Sequence, residues 1–201
     1  MKKRQLIAFC GAMGSGKTYA ADYLIQNFGY TRVKFAKPLK DMLRAIGLTD
    51  EHIEGELKDL PCDLLDGRTP RWAMQSLGTE WGRTLISENL WGNLWEKQVE
   101  SLLQQNKPVV VDDCRFNNEA ERVKRLKGSL FLIMTPRSET AEARHPSEVL
   151  PTYEYWDGRL ENSKDEEFDK YLDVLVRQPK RFEVLGWKTG LPAVNQNGWA
   201  R

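Results

Sequence analysis

Residues 11–18 have the sequence GAMGSGKT, and this stretch decides the fold. The pattern matches G-x-x-x-x-G-K-[ST], in which glycines let backbone N–H groups surround phosphate oxygens, the lysine reaches the β- and γ-phosphates, and the hydroxyl ligates Mg²⁺. A short apolar run precedes the loop and a helical pattern follows it. This context favours a phosphate-binding loop over an ordinary glycine-rich turn, because a helix N-terminus adds a positive dipole. The residues assigned to the phosphates of ATP are Gly11, Ala12, Gly14, Ser15, Gly16, Lys17 and Thr18.

Composition limits the class of protein and its partners. The chain has 201 residues, of which 40% are hydrophobic and 29% charged, as expected for one main globular domain. Its net charge of +1 predicts no binding to nucleic acid or to an anionic membrane. The three cysteines, Cys10, Cys62 and Cys114, include no C-x-x-C pair and are typical of a reducing cytoplasm. The basic stretch MKKR at residues 1–4 is not followed by the long apolar segment of a signal peptide. A homodimer is possible, and the sequence does not decide it.

Short apolar runs alternate with helical patterns, which predicts an α/β fold with a parallel sheet. Strands are expected at residues 5–10, 31–36, 108–111 and 130–134, with a weaker candidate at 155–161. Helices are expected at 17–27, ended by Gly29, at 117–128 and at 164–176. Residues 38–103 show no strand pattern and are expected to be helical, with a polar break at residues 54–70.

Two long segments interrupt this alternation and suggest the domain organisation. A P-loop kinase domain is expected over residues 1–178, with a helical insert at about 40–103, a lid at about 135–153 and a tail at 179–201. Small kinases place acceptor-binding helices and a mobile lid in such insertions. The layout therefore favours a small kinase over a motor or a GTPase.

Two aspartates follow the third predicted strand. Asp112 and Asp113 come directly after PVVV, where a carboxylate could hold Mg²⁺ or its waters. Capping of the next helix is the alternative reading of this pair. Arg115 could neutralise transferring phosphates or pair with Glu119, and the sequence leaves both open.

Cations concentrated in the insertions favour an anionic acceptor. A hydroxyl acceptor needs a general base, whereas a phosphate acceptor is already ionised and needs arginines and lysines to offset repulsion from the donor. Any one of these cations could be a solvated surface residue. The candidates for acceptor binding are Lys37, Lys40, Arg68, Arg71 and Arg83. The lid adds two more cations, Arg137 and Arg144. These two arginines are assigned to catalysis, together with Lys17 and Arg115. Gln75, Thr79 and Trp81 offer hydrogen bonds and a flat surface to a base, although most tryptophans fill cores.

Several of these stretches resemble the deoxynucleoside monophosphate kinases encoded by bacteriophages. They are KPLK at 37–40, GRTPRWAMQSLGTEWGR at 67–83, DDCRFNNEAE at 112–121 and HPSE at 145–148. The likeness spans roughly residues 5–176, and its most specific parts are LGTEWGR and D-x-R-F-x-N-E. The second motif aligns on Asp113, whereas the end of the apolar run favours Asp112, so both are kept as metal ligands.

The resemblance implies a fold and a reaction. It implies a P-loop three-layer fold with a parallel five-stranded sheet in the order 2-3-1-4-5, an acceptor-binding insert and an arginine-bearing lid. The implied activity transfers phosphate from ATP, with Mg²⁺, to a deoxynucleoside monophosphate, in the host cytoplasm if the chain is phage-encoded. The alternatives are a kinase for another small metabolite, such as dephospho-coenzyme A, and a nucleotide-binding regulatory or DNA-packaging module.

Overall fold

The computed structural model describes residues 4–135, 150–163 and 166–177. The chain divides into two compact units. The first comprises Met1–Val33 and Gln98–Arg201, and the second comprises Lys34–Lys97. The division separates the predicted strands from the long helical segment, so each unit is described by itself.

The first unit contains a parallel sheet. Within the described residues it has five strands in the order β2-β3-β1-β4-β5, which confirms the predicted fold. Ile7 pairs with Val110 on one side and with Ser129 on the other, so β1 is central. The strands are β1 (Leu6–Cys10), β2 (Thr31–Arg32), β3 (Val109–Val111), β4 (Ser129–Met134) and β5 (Gly158–Glu161).

Both units contain helices, and the described strands all lie in the first unit. The helices are α1 (Lys17–Phe28), α2 (Lys37–Ala45), α3 (Asp50–Ile53), α4 (Pro70–Ser76), a π-helix (Leu77–Ile86), α5 (Leu90–Gln104), α6 (Asn117–Arg125) and α7 (Glu166–Arg177). Short 3₁₀ turns lie at Glu56–Asp59, Asp63–Leu65 and Tyr153–Tyr155. None of the helices in the described part of the chain has the length and apolar character needed to cross a membrane.

Two strands are shorter than the sequence predicts. The strand expected at 31–36 ends at Arg32, and only the Val33 N–H continues the pairing, to the Val110 carbonyl at 3.0 Å. A turn follows because Pro38 occupies the first turn of α2, where its fixed φ favours a helix. The weak strand expected at 155–161 forms only from Gly158, because Tyr153–Tyr155 makes a 3₁₀ turn.

The sheet is covered on both faces. All five residues of β1 are buried, as expected for a central strand of a parallel sheet. One face packs against α1 and α7, and the side chains that meet there are fully buried: Phe9, Phe131, Leu24 and Leu172. On the other side α6, which contacts β4, buries Ala120 and Val123. This gives the three layers of the predicted fold.

The second unit has its own core. Leu39 and Leu43 of α2 pack with Ile53, Ala73 and Trp91 in one buried cluster. Phe35 and Trp95 stack with their ring centroids 4.3 Å apart. The polar break predicted at 54–70 contains the two 3₁₀ turns at Glu56–Asp59 and Asp63–Leu65.

Leu24→Ala should destabilise the protein because Leu24 is fully buried between α1 and the sheet. We expect a loss of about 2–5 kcal/mol in the free energy of unfolding, measured by urea denaturation. The matched control is Gln26→Ala on the exposed side of the same helix, which should change stability by less than about 0.5 kcal/mol. Equal effects of the two variants would contradict the assigned core.

Candidate active site

The loop that connects β1 to α1, residues 11–16, has a positive φ at each of its three glycines. Gly11, Gly14 and Gly16 have φ values of 146°, 77° and 98°, which side chains strongly disfavour. Gly16 is also the N-cap of α1 and has no side chain that could cap the helix. The first turn of the helix therefore presents backbone N–H groups and the positive end of its dipole to an anion.

At two of these glycines, neighbouring atoms also leave no room for a side chain. A Cβ atom at Gly11 would collide with the backbone oxygen of Ile133, at the end of β4, and one at Gly16 would collide with the side-chain amide of Asn162. Among the described residues, no atom lies within 4 Å of a Cβ placed at Gly14. The loop is thus held tightly at its two ends and more openly at its tip.

Lys17 lies against the loop that precedes it. Its Nζ donates hydrogen bonds to the carbonyl oxygens of Gly11 at 2.9 Å and Ala12 at 2.7 Å. Burial, together with the positive charge of Arg115, lowers the pKa of Lys17 to about 8, against the opposing effect of Asp112 and Asp113. The fold therefore brings Lys17, Arg115 and both aspartates within electrostatic range of one another.

The two aspartates after β3 differ in their surroundings. Asp112 is 4% exposed, and its Oδ2 lies 3.5 Å from Nε of Arg32 in an ion pair. Asp113 is only partly buried. Arg32 also donates to Asp22 at 2.8 Å and to the Thr18 carbonyl at 3.3 Å.

Sequence reasoning missed Arg32, although it connects the end of β2 with both α1 and β3. No motif marks this residue. Its position follows from the sheet order, since β2 neighbours β3 and Arg32 pairs in register with Val110. Only the adjacency of the strands could have identified it.

Glu119 organises the turn that carries Arg115. This carboxylate is 4% exposed, and its Oε2 accepts the backbone N–H groups of Arg115 at 2.8 Å and of Phe116 at 3.2 Å. The Arg115 side chain itself is exposed. The D-x-R-F-x-N-E motif contained Glu119, but its action on the backbone was visible only in the structure.

The oxygen donors near the loop suit Mg²⁺. In the described residues, no group of three or more His, Cys, Asp or Glu side chains could hold a metal ion. Mg²⁺ commonly binds through one or two carboxylates together with phosphate oxygens and waters, so such a group is not required. The Thr18 hydroxyl at the start of α1 and the Asp112 carboxylate offer the appropriate chemistry.

The predicted acceptor residues all lie in the second unit, and several have carboxylate partners. Lys37 binds Asp41 at 2.5 Å, Lys40 binds Glu54 at 2.6 Å, and Arg71 binds Asp59 through two nitrogens. The guanidinium carbon of Arg68 lies 4.7 Å from the ring centroid of Trp72 in a cation–π contact. Gln75 is on α4.

Thr79, Trp81 and Arg83 lie on the π-helix, which the sequence did not predict. π-helices are rare and often occur at functional sites. Here the Ser87 N–H bonds to the Gly82 carbonyl at 3.0 Å, five residues back. Trp91 supports the segment: its indole N–H donates to the Gly78 carbonyl at 2.7 Å, and its ring fills the space that a Cβ at Gly82 would need. Trp81 is 38% exposed.

The predicted lid is almost entirely outside the described residues. Arg137 and Arg144, together with the tail at 179–201, fall there. Their assignment remains a prediction from the sequence.

No protein-family profile matches the chain. A protein of Acanthamoeba polyphaga mimivirus named "Putative deoxynucleotide monophosphate kinase" is 37% identical over 177 residues, which cover 81% of this chain and 91% of that protein. "Uncharacterized protein ORF76" of Ictalurid herpesvirus 1 (strain Auburn) is 30% identical over 148 residues, or 72% of this chain. The chain spans about half the length of this second relative, 55%.

Solved structures of kinases show more distant likeness. A solved structure from Chloroflexus aurantiacus, described as "a putative kinase", has a TM-score of 0.48 and 12% identity, and the match covers 94% of this chain and 100% of that chain. Dephospho-CoA kinase from Campylobacter jejuni has a TM-score of 0.43 and 15% identity, and the match covers 89% of this chain and 98% of that chain. At these values the likeness supports no statement about substrate.

Gly11→Ala should weaken nucleotide binding because its Cβ would collide with the backbone of β4. We expect the Kd for ATP, measured by titration calorimetry, to rise roughly 10- to 100-fold. The control is Gly29→Ala at the other end of α1, where φ is 66° and none of the residues that the structure describes lies within 4 Å of the added Cβ. That variant should lose about 1 kcal/mol of stability and retain its affinity. Unchanged binding by Gly11→Ala would contradict the phosphate-loop assignment.

Proposed function

Because the chain belongs to the same family as the mimiviral protein and is a P-loop kinase, we propose that it transfers the γ-phosphoryl group of ATP to a deoxynucleoside monophosphate. The products are ADP and a deoxynucleoside diphosphate, a precursor for DNA synthesis. The observation that carries this proposal is the phosphate loop, in which three glycines have positive φ and Lys17 lies against the Gly11 and Ala12 carbonyls at the start of α1.

The donor phosphates bind at the loop and the start of α1. The backbone N–H groups of residues 11–18 surround them, and Lys17 exchanges its bonds with the Gly11 and Ala12 carbonyls for phosphate oxygens. Arg115 adds positive charge near Lys17. Since phosphoryl transfer needs little covalent chemistry from the protein, positioning and charge neutralisation supply the catalysis.

Thr18 and Asp112, with Asp113 nearby, hold the Mg²⁺ of the nucleotide. When bound, the ion neutralises charge on the β- and γ-phosphates. Arg32 forms an ion pair with the buried Asp112 carboxylate and so orients it at the end of β3. Asp113, being more accessible, would hold the ion or its waters.

The second unit binds the acceptor monophosphate. This acceptor is already ionised, so it requires cations rather than a general base. Lys37, Lys40 and Arg71 supply positive charge that is partly compensated by their carboxylate partners. Arg68 and Arg83 provide planar guanidinium groups, which match phosphate geometry. Gln75, Thr79 and Trp81 contact the base.

Arg137 and Arg144 of the lid complete the charge around the transferring group. Closure of the lid over the loop excludes water and so suppresses hydrolysis of ATP. The enzyme acts in a reducing cytoplasm, in agreement with Cys10, Cys62 and Cys114, which are all buried free thiols. Deoxynucleotides, rather than nucleic acid, are its partners.

The proposal is tested by a coupled assay of ADP release over a panel of ribo- and deoxynucleoside monophosphates. We expect deoxynucleotides to be preferred, with kcat/KM about 5- to 150-fold higher than for the matching ribonucleotide, because a buried 2′-hydroxyl without a partner costs about 1–3 kcal/mol. Lys17→Ala should lower turnover by about 100-fold or more without unfolding the protein. ADP release that needs no acceptor, or is unaffected by Lys17→Ala, would reject the proposal.

Arg83→Ala and Gln75→Ala should impair use of the acceptor and leave the donor largely unaffected. We expect kcat/KM for the monophosphate to fall roughly 10- to 100-fold while the Kd for ATP stays within about twofold. Arg44→Ala is the matched control, because Arg44 is an arginine of the same unit paired with Asp41 and Asp50 and assigned to no ligand. Equal losses for donor and acceptor would show that the two residues are misassigned.

A further inference from the structure

Asn162 follows β5 and is anchored at the carboxyl edge of the sheet. Its backbone N–H donates to the Met134 carbonyl at 2.8 Å, which extends the pairing of β5 with β4 by one residue. The residue is only 6% exposed. Its backbone position is therefore fixed by the sheet rather than by the loop that follows.

The Asn162 side chain reaches the phosphate loop, 147 residues away in sequence. Its Nδ2 donates a buried hydrogen bond to the Ser15 carbonyl at 2.9 Å. The peptide group between Ser15 and Gly16 is planar, and in a trans peptide the carbonyl and the N–H point in opposite directions. Fixing the carbonyl of Ser15 therefore also fixes the direction of the Gly16 N–H, which faces away from Asn162.

The loop and Asn162 also fit each other by shape. Gly16 has φ of 98°, and the side-chain amide of Asn162 occupies the volume that a Cβ at Gly16 would need. Ser15 is fully buried. Loss of the amide would leave a buried carbonyl without its donor, and the loop would relax toward other conformations. The contact thus acts on the segment whose N–H groups must meet the phosphates.

We propose that Asn162 is a positioning residue for the phosphate loop: its amide holds the Ser15 carbonyl so that the N–H groups of residues 16–18 are arranged for the donor phosphates before ATP binds. The inference rests on the proposed function only in requiring that the loop binds the donor nucleotide. Preorganisation of this kind lowers the ordering cost of binding and acts on the donor rather than on the acceptor.

The test compares Asn162→Asp with Asn27→Asp. The first variant keeps the shape of the side chain and replaces the donor with a carboxylate facing a carbonyl. Asn27 makes the same kind of bond, from its Nδ2 to the Tyr23 carbonyl at 3.0 Å, but on the exposed surface of α1. We expect Asn162→Asp to raise the Kd for ATP and its KM roughly 10- to 100-fold, with the KM for the acceptor unchanged. Asn27→Asp should match the wild type.

A purely structural role would give a different result. It would lower the melting temperature but leave the Kd for ATP of the folded variant at the wild-type value, and that outcome would overturn the proposal. Asn162→Ala, which introduces no buried charge, repeats the measurement if Asn162→Asp does not fold. Failure of both variants to fold would show that Asn162 is required for folding, and would also reject its role in positioning the loop.

The same measurements separate this inference from the proposed function. If the wild type phosphorylates no nucleoside monophosphate but Asn162→Asp still loses ATP affinity, the positioning role stands and the proposed acceptor is wrong. If the wild type phosphorylates deoxynucleotides and Asn162→Asp binds ATP normally, the acceptor stands and the positioning role is wrong.

Discussion

The positive φ values of Gly11, Gly14 and Gly16 in the loop after β1 are the constraint on which the rest of the site depends. A loop that offers N–H groups to an anion must keep side chains away from its inner surface, and positive φ values at Gly11, Gly14 and Gly16 achieve this. The neighbouring strands enforce it, since the end of β4 excludes a Cβ at Gly11 and Asn162 excludes one at Gly16. The sheet thus determines the shape of the loop as well as its location.

Charges are arranged around this loop at the carboxyl ends of the strands. Lys17 and Arg115 supply positive charge, and the pKa of Lys17 is lowered mainly because the residue is largely buried. Asp112 is buried as well, which would be costly for an ionised carboxylate without the ion pair that Arg32 provides. Under the proposed function, this set of charges would receive an anionic nucleotide together with its metal ion.

In the second unit, a buried tryptophan supports an irregular helix. Its π-helix leaves the regular α-helical bonding pattern, and Trp91 supports it through a hydrogen bond to Gly78 and close packing on Gly82. A wider helix of this kind needs such support because it is intrinsically less favourable than an α-helix. The segment carries three of the residues assigned to the acceptor, so its unusual geometry coincides with the part of the chain where specificity is proposed to reside.

The sequence by itself determined the glycine-rich loop after β1 and the succession of strands and helices in the first unit, because these depend on local spacing and periodicity. It placed Gly29 correctly as the end of α1 but extended β2 by four residues, since apolar character continues where Pro38 already favours a helix. Only the tertiary structure decided that Arg32 meets Asp112 and that Asn162 meets Ser15. Both contacts join residues distant in sequence, and parallel strands bring such residues together at one edge without leaving a pattern along the chain.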